Sequence, residues 1–282
     1  MRKKLKFITY TSLTILGFAI LGDFCQKQTK GFRLQNVIPS SKEPCPDWIQ
    51  PLSSQEKKQI ELILSQPFYF LKKGQQCFTF LSADKNYVLK LFRWEKLEPP
   101  FWTHLLPSRL SASIKKEREE KKQLDFTSYQ IAYQDLKEET GLIYLQLNQD
   151  NSFQIPLEIY DNLRIKHTLH TNETGFILQK KAKDFLPYFE EKRKNHEEKD
   201  LENFFLSLKD LLQSRSQKGI YDSDISLEHN MGILDGKPLL FDIGNLKKEG
   251  ASIQKQSRLM LCFLEKNAPS LAVFLEKALE EN

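Results

Sequence analysis

The sequence predicts an α+β chain in two lobes, strands first and helices last. Three observations point there. Short β-rich runs separated by turns fill much of residues 68–179. Helical periodicity takes over at 198–217 and again from about 252 to 281. Between those helical stretches, the segment from Gly219 to Gly244 carries two acids, an asparagine, a hairpin and an Asp-x-Gly, in that order.

The elements follow in turn. Arg2, Lys3, Lys4 and Lys6 precede an uncharged apolar run from Phe7 to Gly22. A basic stretch followed by an apolar one is the pattern of a signal peptide or signal anchor, here residues 1–22. The run has 16 residues. At 1.5 Å per residue it reaches about 24 Å, short of a hydrocarbon core of about 30 Å. The expected location is therefore membrane-associated through this segment, or exported after its cleavage, with the N-terminus on the cytoplasmic side. Residues 23–54, polar and carrying Pro39, Pro44, Pro46 and Pro51, read as a linker. Gln55–Ser65 reads as a short helix. Phe68–Leu71, Cys77–Leu81 and Tyr87–Phe92 then form an antiparallel meander, with turns at Gly74 and at Ala83–Asn86.

Ser111–Gly141 is charged, nearly free of Gly and Pro, and has Phe126, Tyr129, Ala132, Tyr133 and Leu136 at helical spacing. It reads as one or two helices stopped by Gly141. Four more strands are expected at Leu142–Leu147, Phe153–Ile159, Leu163–Leu169 and Gly175–Gln179. An amphipathic helix through Leu201, Phe204, Phe205, Leu208, Leu211 and Leu212 follows. The expected division is a strand-rich lobe at 55–181 and a helical lobe at 182–282.

Composition excludes several classes. The 282 residues carry 42 basic and 37 acidic side chains, a net charge of +5 spread without a basic stripe, so nucleic acid is not an expected partner. Four cysteines (Cys25, Cys45, Cys77, Cys262) lie far apart, which gives neither a zinc signature nor a disulfide framework. The five histidines are scattered, and no two lie four apart as a metal pair on a helix would.

The chemistry concentrates in two places. Asp222-Ser223-Asp224, Asn230 and Asp242-Ile243-Gly244 supply a carboxylate for an attacking hydroxyl, then an amide and a second carboxylate for a metal ion. Val88-Leu89-Lys90-Leu91 supplies a lysine on the strand face opposite Leu89 and Leu91. Together these residues resemble the protein kinase-like superfamily, in its divergent bacterial members, over roughly residues 66–282. The resemblance implies a kinase-like fold with an antiparallel-sheet lobe and a mainly helical lobe. It implies ATP and Mg²⁺ as cofactors, Lys90 on the phosphates, Asp224 as the base with Asp222 sharing that role, and Asn230 and Asp242 as metal ligands. It also implies Gly74 in the phosphate loop and Gln179 at the hinge against the nucleobase. The acid that would pair with Lys90 lies on the 111–141 helix, with Glu117, Glu119, Glu120 and Asp135 all eligible.

The chain departs from the family pattern in three respects. Asp222-Ser223-Asp224 stands where His-Arg-Asp is usual, and the interval to Asn230 is one residue longer. Lys72-Lys73-Gly74-Gln75-Gln76-Cys77 has one glycine, which makes a turn but no cradle of N–H groups. Ala-Pro-Glu is absent after Gly244, which favours a small-molecule or lipid-linked acceptor over a protein. The expected function is phosphoryl transfer to a hydroxyl of an unknown substrate. The alternative is a membrane-associated or exported pseudokinase that acts as a binding or scaffold module.

Overall fold

The computed structural model describes residues 2–40, 52–151, 153–222, 226–248 and 253–280. The chain opens with α1 (Arg2–Gln28) and a 3₁₀ turn at Leu34–Val37. Helix α2 (Ser54–Leu64) starts at a capping box, in which the Ser53 hydroxyl accepts from the Glu56 N–H and the Glu56 carboxylate accepts from the Ser53 N–H. The expected meander is present as β1 (Phe68–Lys73), β2 (Cys77–Ser82) and β3 (Tyr87–Phe92).

Next come α3 (Trp94–Leu97), a 3₁₀ turn at Phe101–Leu105, the long α4 (Ser108–Asp135) and the short α5 (Lys137–Thr140). Gly141 ends α5 in the left-handed region, φ +63°, which suits the residue without a Cβ. The four expected strands are β4 (Leu142–Gln146), β5 (Pro156–Tyr160), β6 (Lys166–His170) and β7 (Phe176–Lys180). The helical part comprises the short strand β8 (Lys183–Asp184), α6 (Phe185–Lys194) and α7 (Glu198–Gln217). After it come β9 (Ile220–Asp222), α8 (Leu227–Asn230), β10 (Met231–Leu234), β11 (Lys237–Leu240), β12 (Leu246–Lys248), α9 (Ile253–Asn267) and α10 (Pro269–Glu280).

The architecture is mixed α+β. Seven strands form one sheet in the order β4-β7-β3-β2-β1-β5-β6. All neighbours are antiparallel except β1 and β5. Alternation along the strands sorts the two faces. Phe78, Phe80, Leu89, Leu91 and Leu178 join Phe32, Val37, Ile60 and Ile63 in one core. Cys77, Phe92 and Ile177 face the other way, into a second core with Phe126 and Tyr129 of α4 and the aromatic group Phe185, Phe204 and Phe205. Removing a side chain of this size from water contributes about 2 kcal/mol each, so both faces are held by burial. The hairpin of β10 and β11 turns at Asp235-Gly236, both with positive φ (52° and 78°), a primed turn that matches strand twist.

The structure bears on two expectations about the N-terminal part. The run Phe7–Gly22 lies in α1, yet among the described residues no helix is long and apolar enough to cross a membrane. The linker expectation fails over residues 32–37, because Phe32 and Val37 are buried in the sheet core.

Gly232 of β10 sits where a Cβ would come 2.5 Å from the Lys183 carbonyl oxygen and 2.9 Å from the Ala182 Cβ. Both strands are held there by the β8–β10 ladder, so neither backbone can give way cheaply. Gly232→Ala is expected to cost about 1–3 kcal/mol, read as a lower urea midpoint at unchanged slope.

Candidate functional site

The sheet and the α7–β12 region face each other across a cavity of about 580 Å³. Lys90 comes from β3, Asn230 from the end of α8, and Asp242 from the segment after β11; all three line this cavity. Lys90 is carried there by alternation, since Leu89 and Leu91 on either side enter the sheet core. Its Nζ donates to the Phe241 carbonyl at 2.6 Å. Burial pulls the Lys90 pKa down, and the nearby Asp242 carboxylate opposes that shift.

The Asp242 segment is positioned from both sides. The Asn230 carbonyl accepts from the Phe241 N–H at 3.1 Å, which ties the strand end to α8. On the other side the Ser128 hydroxyl of α4 donates to the Ile243 carbonyl at 2.5 Å and accepts from the Leu246 N–H at 2.7 Å. Strand β12 then pairs with β9, with Leu246 opposite Asp222. The Asp-Ile-Gly turn is thus fixed by one buried hydroxyl and one short ladder.

The β1–β2 loop is closed by side chains in place of glycines. Arg93 donates to the Gly74 carbonyl at 2.9 Å and the Gln75 carbonyl at 3.2 Å, and its guanidinium stacks on Phe78. The Gly74 N–H is spent on Cys77. Gln76 accepts from the Tyr129 hydroxyl, and its side chain occupies the space beside Gly244, where a Cβ would meet the amide oxygen at 2.6 Å. A side chain at position 244 would displace the Gln76 amide. Lys72 lies over the Phe241 ring at 5.0 Å. Gly74 lines the cavity as expected, but as a turn residue.

A smaller adjoining cavity of about 160 Å³ is lined by Leu71, Val88, Gln179, Ala182 and Phe241 among others, and shares Lys72, Thr79 and Lys90 with the first. Gln179 contributes here. Its side-chain amide, however, donates to the Thr140 carbonyl and so braces β7 against α5. The N–H groups of Lys180 and Lys181 are also committed, to the Gly141 and Asn86 carbonyls.

Asp224 lies outside the described residues. Asp222 does not line the cavity: it is 4% exposed and its carboxylate lies 3.7 Å from the Arg215 guanidinium, itself buried. Burial lowers the Arg215 pKa and Asp222 opposes that shift. Asp222 thus faces the buried Arg215 cation and not the cavity. Among the acids expected to serve Lys90, Glu119 pairs with Lys122 at 2.6 Å and Asp135 with Lys248 at 2.8 Å. Glu117 and Glu120 line a neighbouring cavity between α4 and β12.

The acid that does reach the cleft is Asp125, which the sequence reading missed. It is 6% exposed, one of its carboxylate oxygens has no hydrogen-bond partner, and burial raises its pKa to about 6 against the pull of Lys121. The signal was present. Positions 125, 129, 132 and 136 follow helical spacing on the stripe of Phe126, so an acid there points inward. Tyr129 and Cys77 complete the wall, and burial drives the Cys77 thiol to about 12, which keeps it protonated and unreactive.

The donor set fits a hard divalent cation held jointly with phosphate. Mg²⁺ takes one or two protein oxygens and fills its shell with phosphate and water, so Asp242 and Asn230 suffice. Among the described residues no group of three or more His, Cys, Asp or Glu forms a self-sufficient metal site.

No protein-family model matches the chain, and no curated protein matches it in sequence. Solved structures give distant likenesses. The bifunctional kinase-methyltransferase WbdD matches at 15% identity and a TM-score of 0.36, over 68% of this chain and 34% of that one. WbdD bound to a kinase inhibitor matches at 16% and 0.36, over 70% and 37%. The complex of Rv3197 with erythromycin from Mycobacterium tuberculosis matches at 14% and 0.32, over 99% and 76%. The chain thus spans little more than a third of the length of WbdD. At these values no family is assigned, and the functional reading rests on this chain's own residues.

Two outcomes test the placement of the acids. Asp125 holds its proton more tightly folded than unfolded, where its pKa is near 3.8. Its contribution to stability is therefore greatest below pH 3.8 and is lost as pH rises through about 6. Asp125→Asn should flatten that part of the stability profile. At pH 7–8 it should gain on the order of 2 kcal/mol over the parent, somewhat below full linkage because the cleft is open to solvent. Asp222→Ala should cost about 3 kcal/mol in chemical denaturation, because it strips the carboxylate from a buried guanidinium. A purely catalytic acid would leave stability unchanged.

Proposed function

We propose that this chain is a divergent kinase-like protein that binds a magnesium–nucleoside triphosphate and passes a phosphoryl group to a hydroxyl. The observation that carries the reading is the convergence of Lys90, Asn230 and Asp242 on one cavity from three separate elements. A desolvated lysine beside a carboxylate suits phosphate oxygens. Asn230 and Asp242 would hold the metal, and the adjoining apolar cavity bounded by Val88, Ala182 and Phe241 suits a nucleobase. Asp224 remains the proposed base.

A second reading, a pseudokinase that binds without turnover, is favoured by one observation: Gln76 is bonded to Tyr129 and packed beside Gly244, inside the space phosphates would use. The two readings part on a single set of measurements. Under the enzyme reading, Mg-ATP at about a hundred times its Kd adds roughly 2.7 kcal/mol of stability. Asp242→Ala and Lys90→Ala abolish that gain, and Asp224→Ala keeps the gain but loses ATP turnover. A gain without turnover in the parent protein supports the pseudokinase. No gain with Mg-ATP in the parent defeats both.

A further inference from the structure

The segment joining α3 to α4 carries the densest exposed apolar group of the sheet-bearing part. Phe101 is 83% exposed, Leu105 84%, Leu110 56% and Trp102 44%. Single exposed apolar side chains are ordinary, but four within ten residues mark a contact surface. The local fold builds this tip. Pro99, Pro100 and Pro107 bracket the 3₁₀ turn, and Thr103, fully buried, donates its hydroxyl to the Pro100 carbonyl at 2.7 Å. Anchoring the middle of the turn leaves Phe101, Trp102 and Leu105 outside.

Basic side chains lie along the tip, with acids at its margins: Glu98 precedes it, Glu117 follows it, and Lys116 lies 3.7 Å from Glu120. Residues 99–116 contain Arg109, Lys115 and Lys116, all exposed, and no Asp or Glu. Four side chains fall short of the roughly 800 Å² that each partner gives to a standard protein interface. A bilayer surface needs only that a few side chains insert while basic residues meet anionic headgroups. Trp and Phe at the tip suit that boundary, where an apolar ring borders a wet, charged layer.

A second, separate feature agrees. Helix α1 begins with Arg2, Lys3, Lys4 and Lys6 and exposes Leu13, Ile15, Leu16, Phe18, Ile20 and Phe24. An exposed apolar stretch of this kind calls for an apolar surround. The chain leaving α1 leads toward the tip: the turn Leu34–Val37 packs on α3, and the Ser40 N–H bonds Glu98 at 2.9 Å, next to Pro99.

We propose that Phe101, Trp102, Leu105 and Leu110, with Arg109, Lys115 and Lys116, form a docking surface for anionic lipid, a contact separate from α1 and independent of the phosphoryl-transfer reading. The test uses the full chain with vesicles of phosphatidylcholine containing about 30% phosphatidylglycerol, against phosphatidylcholine alone. Lipids brominated in the acyl chain should quench tryptophan emission on the anionic vesicles, and Trp102→Phe should remove that quenching. Phe101→Ser with Leu105→Ser, exposed positions that leave the fold intact by circular dichroism, should lower vesicle partition about tenfold, the equivalent of about 1.4 kcal/mol. Lys115→Glu with Lys116→Glu should weaken binding at low salt and matter less at high salt. Partition unchanged in the double serine variant, or bound protein whose Trp102 escapes quenching, overturns the proposal and leaves α1 alone at the lipid. Failure of the parent chain to bind anionic vesicles also overturns it. Self-association in sedimentation that the double serine variant abolishes, without lipid binding, overturns it in favour of a second copy.

Discussion

The bond from the Lys90 ammonium to the Phe241 carbonyl, between residues 151 positions apart in the chain, joins the two halves of the candidate site. A lysine is taken out of water at one end and a strand terminus is pinned at the other. The arrangement is tolerable because the Asp242 carboxylate lies close by and part of the charge is answered. Ser128 secures the same strand end from α4, so the carboxylate, the amide of Asn230 and the ammonium are held by three elements that share no local sequence.

The opposite wall shows a different economy. A loop rich in glycine approaches an anion with its own N–H groups. Here Arg93 and Gln76 hold the β1–β2 loop by its carbonyls and by a side-chain bond, and the loop has one glycine. Lys72, Lys73 and Lys90 are the lysines of the sheet that line the cavity. Charge at the ends of flexible stems replaces a rigid backbone cradle, and the loop gains stability from contacts that a ligand would have to rearrange.

Much of the fold was legible because its signals are local. β-rich runs between turns marked β1 to β3 and β4 to β7, and the side of β3 on which Lys90 emerges follows from strand alternation. The Asp-Gly hairpin and the Gly141 stop are backbone requirements written in residue type. The candidate site was half legible. Asn230 and Asp242 both line the cavity, while Asp222, read as a cleft acid, lies against Arg215, seven residues earlier and on the buried side of α7. Residues 32–37 read as linker because proline and polar residues surround them, yet Phe32 edges against both Phe78 and Phe80.

What the sequence determined by itself was the order of elements, the faces of the strands and the set of chemically capable residues, since each depends on neighbours within a few positions. What only the tertiary structure decided was which acid enters the cleft and which side chain fills it. Asp125 and Gln76 take those places through the packing of α4 across the sheet, and Asp222 is withdrawn by a cation from another element. Pairings of this kind depend on distances between segments far apart in the chain, and on the cost of burying charge once they meet, neither of which is encoded in any local pattern.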